Sequence, residues 1–277
     1  MIIARPNAGI CNRIRVIKSC IELHRKTFGK QNIKIVWEKN IFLNSNFDDI
    51  FQPIKDVEIL HSHPVLSYFN NYQDNNTLPY RSRIKKFLLK PAFANYKYFN
   101  NETIIPFKFK NAYWENLKHK IALNIDTEFY DAEIPNIYHE FKPVIHLQKK
   151  IDREVYKLIK PSIGVHIRRT DHQPSVEKSS DGLFIKKIHE LLNAENSLLF
   201  FLATDDPKVE TILRNEFGSH IITQTDKIFE RESKEGIDDA IIDLYALSNT
   251  KYILGSYGSS FSRIAAKINN IPLEVIQ

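Results

Sequence analysis

Between residues 162 and 276 the chain alternates short, continuous apolar runs with stretches of helical period. Residues 162–167, 198–203, 220–223, 252–254 and 273–276 are strand-sized, which predicts five buried strands. Phe184, Ile188, Leu191 and Leu192 recur at helical spacing, in a helix beginning near Gly182. Pro207 stands at a helix start that Val209, Ile212 and Leu213 continue. Residues 238–248 and 259–267 predict two more helices. Strands and helices in alternation predict a doubly wound parallel sheet, which binds ligands beyond the carboxyl ends of its strands.

The N-terminal half opens in the same way. Residues 2–5 predict a strand and 6–11 a tight loop. A helix runs from about Asn12, with Ile14, Ile17, Ile21 and Phe28 on one face and Gly29 as its C-terminal cap. Strands follow at 33–37 and 57–60. From about 61 to 138, Asn, Tyr and Phe are dense and periodicity is weak, which predicts irregular structure and helices on an α/β core. Residues 140–160 read as a partly helical link. The chain therefore divides into an N-terminal domain, 1–150, and a C-terminal domain, 151–277, with no internal repeat.

At 277 residues there is length for two domains, each with its own core. A net charge of +6 and a pI of about 9.1 suit nucleotide phosphates, acidic lipid or nucleic acid, without choosing among them. Cys11 and Cys20 form neither a disulfide framework nor a zinc spacing, which fits a reducing compartment. The start, Met1-Ile2-Ile3-Ala4-Arg5, meets a charge too early for a signal peptide. No apolar run approaches the ~20 residues of a membrane span. The expectation is a cytoplasmic protein, with peripheral contact at the inner face of a membrane left open. The run 81–97 motivates that contact. It holds Arg81, Arg83, Lys85, Lys86, Lys90 and Lys97, no acid, and interleaved Phe, Leu and Tyr. A solvated charged face packed on its apolar side fits the same run, and so does nucleic-acid binding.

The candidate chemistry sits at predicted strand ends. Gly164-Val165-His166-Ile167-Arg168-Arg169-Thr170-Asp171 closes the first C-terminal strand. Two arginines there can grip phosphate oxygens and stabilise a departing diphosphate without a metal, with Asp171 holding one guanidinium. A surface ion pair in a loop is the plainer reading. Asp205 and Asp206 close the next strand, where they can bind a base or ribose or orient the arginines. Asp206 before Pro207 also fits a helix cap. Asp243 lies in an apolar helical run and needs a partner if buried, for which Arg168 and Arg169 are candidates. In the loop 255–260, small residues including Ser259 and Ser260 let backbone N–H groups approach a phosphate at a helix N-terminus. In the loop 9–13, Asn12 can donate to sugar or phosphate, or simply cap a helix beside a solvated Arg13. His61 and His63 lack accompanying carboxylates or cysteines, and no metal site is expected.

These motifs, in this order, resemble the α1,6-fucosyltransferase and protein O-fucosyltransferase superfamily, which includes bacterial nodulation fucosyltransferases. The resemblance rests on 166–171, on 203–206, and on Asp243 to Ser248 leading to 256–263. The loop 9–13 adds a weaker match. It implies a GT-B-like fold, with two Rossmann-like lobes facing a cleft and the C-terminal lobe holding the donor. It implies an inverting, metal-independent transfer from GDP-fucose to a glycan hydroxyl, with no cofactor beyond the donor. On the resemblance, Arg168 and Arg169 neutralise the pyrophosphate. His166, Asp206, Asp243 and Ser259 fall where the family contacts GDP, with Asp205 beside them. Where the α1,6 enzymes follow the motif's Asp with a lysine, this chain has His172. Glu177 is the nearest following acid, so Glu177 and Asp171 are both candidates for the base. Counterparts of the animal enzymes' coiled-coil and SH3-like modules are missing, which favours a microbial or viral enzyme. The alternatives are a transferase of another GDP-sugar, such as a heptose or rhamnose, and a non-catalytic nucleotide- or RNA-binding protein.

Overall fold

The computed structural model describes residues 1–27, 29, 32–71, 80–158, 162–170, 172–230 and 232–277. The chain forms two compact units, one of residues 1–48 and 53–141, the other of 49–52 and 142–277. They part at 141/142 rather than at 150, because the helix Ile145–Tyr156 packs on the helix Lys234–Ser248 of the second unit.

The first part of the chain runs β1 (Ile2–Pro6), α1 (Ile10–Lys26), β2 (Ile33–Val36), α2 (Phe47–Ile50), β3 (Val57–Leu60), α3 (Pro64–Asn71), α4 (Tyr80–Phe93), β4 (Tyr96–Asn100), α5 (Asn111–Glu115) and β5 (Lys120–Ile125). Its strands form one parallel sheet in the order β3-β2-β1-β5-β4. The expectation of irregular structure over 61–138 is therefore corrected: β4 and β5 lie there, and β5 is interior to the sheet. The core gathers on Ile3, Val36, Val65, Leu66 and Ala122, all buried. Each fully buried aliphatic side chain contributes about 1.5–3 kcal/mol of transfer free energy. After α1, Gly29 adopts φ +68° and returns its N–H to His24 O at 3.0 Å, the left-handed stop predicted for it. Phe28 lies outside the described residues. Cys11 and Cys20 are both buried.

The second unit runs α6 (Ile145–Tyr156), β6 (Ser162–Ile167), α7 (Gln173–Lys178), α8 (Asp181–Ala194), β7 (Leu199–Thr204), α9 (Pro207–Phe217), β8 (Ile221–Ile222), α10 (Lys234–Ser248), β9 (Ile253–Ser256), α11 (Ser260–Ile268) and β10 (Leu273–Ile276). The parallel order β10-β9-β6-β7-β8 makes it a doubly wound sheet. β6 is buried along its whole length, as a central strand covered on both faces must be. The chain builds outward from β6 through β7 to β8, then returns to β9 on the other side. The topological switch point thus lies between β6 and β9, where α/β sheets open a crevice. α10 begins a turn earlier than its apolar period suggested, because Ser233 Oγ accepts from Gly236 N at 2.9 Å and caps it there. Gly255 in β9 is fixed by packing: a Cβ at this position would lie 2.7 Å from Ser262 Oγ of α11.

Candidate active site

His166 and Arg168 stand at the carboxyl end of β6, and Ser256 at the end of neighbouring β9. Ser256 Oγ joins the two ends, accepting from Arg168 N at 3.0 Å and donating to His166 O at 3.3 Å. The His166 ring stacks on Phe261 of α11, with centroids 4.8 Å apart. Burial lowers its pKa to about 3, and the charges of Arg168, Lys227 and Arg169 push the same way against the pull of Asp205. His166 is therefore neutral at any ordinary pH. Its buried Nδ1 has no hydrogen-bond partner among the described residues.

The two adjacent arginines do different work. Arg169 is spent inside the unit. Its Nε donates to Asp181 Oδ1 at 2.9 Å, its Nη1 to Arg168 O at 2.7 Å, and its Nη2 to Ser179 O at 2.8 Å and also to Asp181. That fork ties the end of β6 to the start of α8. Arg168 pairs with Asp205 Oδ2 at 2.9 Å and keeps 20% of its side chain exposed. Asp205 is a hub. It also accepts from Arg169 N at 2.8 Å, Thr170 N at 3.3 Å and Thr170 Oγ1 at 2.7 Å. Asp171, the residue expected to hold a guanidinium, lies outside the described residues. Asp205 and Asp181 hold the two guanidiniums observed.

Asp206 is the N-cap of α9, accepting from Lys208 N at 2.9 Å. Asp243 is buried, but its partner corrects the expectation of Arg168 or Arg169. Lys227 reaches it, while also donating to Thr204 O at 2.6 Å. Burial pushes the Asp243 carboxyl up to about 6, against the pull of the Lys227 ammonium. Its Oδ1 has no partner among the described residues. Ser259 caps α11 through Phe261 N at 3.2 Å, and Ser260 opens the helix. Other first-turn N–H groups of α11 have no acceptor within the helix. The loop beneath is braced from α7: Ser175 Oγ donates to Tyr257 O at 2.7 Å, and Tyr257 N to Ser179 Oγ at 2.8 Å.

Glu177 is not part of this group. It is exposed on α7 and accepts from Gln173 Nε2 at 3.0 Å. Ser175, which fastens α7 to the loop, is two residues away and so on a different face of the helix. In the first unit, Asn12 Oδ1 accepts from Arg15 Nη2 at 2.6 Å. Arg13 is fully buried rather than solvated. It donates to Ala8 O at 3.0 Å and Glu38 O at 2.7 Å and lies 4.7 Å from the Trp37 ring centroid. It thereby fixes the loop after β1. Sequence reasoning missed Lys227 and Asp181; Ser256, the last residue of β9, lay within the small-residue run 255–260 that it had singled out.

Residues 137–272 match the family described as "Alpha-(1,6)-fucosyltransferase N- and catalytic domains". The chain is accordingly a glycosyltransferase, and its two parallel Rossmann-like sheets are of the GT-B type. A mutant of Arabidopsis thaliana FUT1 in complex with GDP superposes with a TM-score of 0.63 at 13% identity, covering 99% of this chain and 69% of that one. The fucosyltransferase NodZ from Bradyrhizobium gives 0.62 at 16% identity, covering 95% and 91%. POFUT1 in complex with GDP-fucose gives 0.53 at 11% identity, covering 99% and 97%. These likenesses concern the fold. No curated protein matches the chain by sequence. Over residues 137–272 the chain is thus similar to the fucosyltransferase superfamily.

Proposed function

We propose that the chain transfers fucose from GDP-fucose to a hydroxyl of a glycan acceptor, in one inverting displacement without a metal. One observation carries this reading: a half-buried Arg168, held by Asp205 at the switch point, next to the first turn of α11. The two supply a fixed cation and backbone N–H groups where a diphosphate would sit. The acceptor oxygen forms its bond to the anomeric carbon as the bond to the β-phosphate oxygen breaks. The electron pair leaves with GDP, where Arg168 stabilises the growing charge. The acceptor proton passes to a carboxylate; Glu177, exposed on α7 and outside the group around Arg168 and Asp205, can serve only if the acceptor itself reaches it. A Glu177→Gln variant with reduced kcat and unchanged GDP affinity supports that role; unchanged kcat removes it.

Calorimetric titration with GDP, UDP and a short RNA tests the donor class, and a screen of GDP-sugars read by product mass tests the sugar. Binding of GDP over UDP, transfer of fucose, and a rate unchanged by chelator are expected. Preference for UDP, or salt-dependent RNA binding indifferent to GDP, would overturn the reading. A GDP-heptose or GDP-rhamnose product would keep the fold and replace the sugar.

In this reading Asp243 accepts a hydrogen bond from the donor's ribose or guanine, which requires its ionised form. Its folded pKa is raised to about 6, so the ionised form is lost as pH falls through that value. The Kd for GDP-fucose is expected to rise about tenfold per pH unit below it. The sugar diphosphate has no titration of its own there. Asp243→Asn should flatten the profile, and a wild-type profile flat from pH 7 to 5 excludes the contact.

A further inference from the structure

α4 is the basic run flagged in the sequence, and its apolar residues are not all packed inward. Ile84, Phe87, Leu88 and Pro91 are spaced i, i+3, i+4, i+7 and therefore form one stripe. That stripe faces solvent: Ile84 is 43%, Phe87 76% and Leu88 69% exposed, and Pro91 is exposed as well. The helix already has a separate packing face about half a turn away. Ser82, Lys86 and Phe93 are partly buried there. Phe93 lies against the Tyr68 ring at 4.6 Å, and Tyr68 OH reaches Lys86 O at 3.5 Å. The outward stripe is thus an apolar face that the described residues leave uncovered. At 100° per residue, Arg81 and Lys85 border it on one side and Arg83 and Lys90 on the other. The helix contains no acid. Lys97, at the end of the same run, does not join this surface. It sits on β4 with its ammonium 5.1 Å from the Tyr113 ring centroid and 5.3 Å from that of Phe107.

We propose that α4 docks the protein on an anionic lipid bilayer, lying in the plane of the interface with Ile84, Phe87, Leu88 and Pro91 inserted and the flanking cations against lipid phosphates. Charge and shape select this occupant. An exposed aliphatic and aromatic ridge between two rows of cations matches the layered chemistry of a bilayer surface, apolar below and anionic at the headgroups. A second copy of the same stripe would bring two sets of cations together. Nucleic acid would reward the cations and leave Ile84 and Leu88 without a partner.

The test is cosedimentation of the full chain with vesicles of phosphatidylcholine alone or mixed with phosphatidylserine. Binding to the mixed vesicles is expected to exceed binding to neutral ones by about tenfold or more and to weaken as salt screens the headgroups. Phe87→Ser/Leu88→Ser, which leaves charge unchanged, should lower it about tenfold, and Lys85→Gln/Lys90→Gln should do likewise. Both variants should keep the wild-type Tm and GDP affinity. The proposal fails if mixed vesicles bind no better than neutral ones or if binding survives the serine substitutions. It also fails if those substitutions instead abolish a dimer or an RNA complex of the wild-type chain.

Discussion

Arg168→Ala is expected to lower kcat/KM for GDP-fucose about a thousandfold while the protein stays folded; Arg169→Ala is expected to act mainly on stability. The two side chains are adjacent and chemically identical, so the contrast rests on their partners. Arg168 is half-buried with its guanidinium braced by the Asp205 carboxylate, so it can meet a diphosphate without reorganising. Removing a fixed donor aimed at developing charge costs about 10²–10³ in rate, or about 3–4 kcal/mol of barrier. Arg169 has its three guanidine nitrogens engaged on Asp181, Ser179 O and Arg168 O. Its loss leaves acceptors unpaired between β6 and α8, at about 2–3 kcal/mol, which is a fall in Tm of several degrees. GDP release from GDP-fucose, measured beside a thermal melt of each variant, separates the two. Wild-type turnover in Arg168→Ala would sink the assignment, and an unchanged Tm in Arg169→Ala would sink the division of labour.

Asp205→Ala should damage both properties together. The carboxylate accepts from the Arg168 guanidinium, the Arg169 and Thr170 N–H groups and the Thr170 hydroxyl. Removing it strands a half-buried cation and two backbone donors, at about 3–5 kcal/mol, and frees Arg168 from its geometry. Turnover is expected to fall at least about a hundredfold. The pH dependence has a definite sign. Burial alone would raise the Asp205 pKa, but Arg168, the Thr170 hydroxyl and the Arg169 N–H outweigh it and hold it below the usual range. Its stabilisation is therefore complete above about pH 4 and is lost as acid is taken lower. Denaturant unfolding of wild type and variant at neutral and acid pH measures this. A stability gap that stays constant down to pH 2 would show that Asp205 is not the hub.

The second unit was readable because central parallel strands, covered on both faces, must be continuous apolar runs, as 162–167 and 199–204 are. The same logic failed for β4. Tyr96–Asn100 is an edge strand with one fully buried residue, Phe99, and its Tyr and Asn content reads as loop. β5 was lost beside it, although Ile121, Ala122 and Leu123 are buried. Among candidate site residues, the paired Asp205 and Arg168 could be picked out from their place at strand ends. Lys227 was not: it approaches Asp243 from a loop with no period and no flanking motif. Asp181 at the start of a helix reads as an ordinary first-turn acid, and nothing local points to Arg169 twelve residues earlier. The outward face of α4 shows the limit in reverse. Its interleaved apolar residues were visible, yet only the fold reveals which side of the helix is left to solvent.

The contact at Gly255 has a consequence for tuning the enzyme. Ser262 belongs to the first turn of α11, so the height of that turn above the sheet is set by the bare backbone of β9. A methyl group at 255 would act as a shim, lifting the helix mouth by a fraction of an ångström. In the proposed function, anion affinity would then change through a buried strand position.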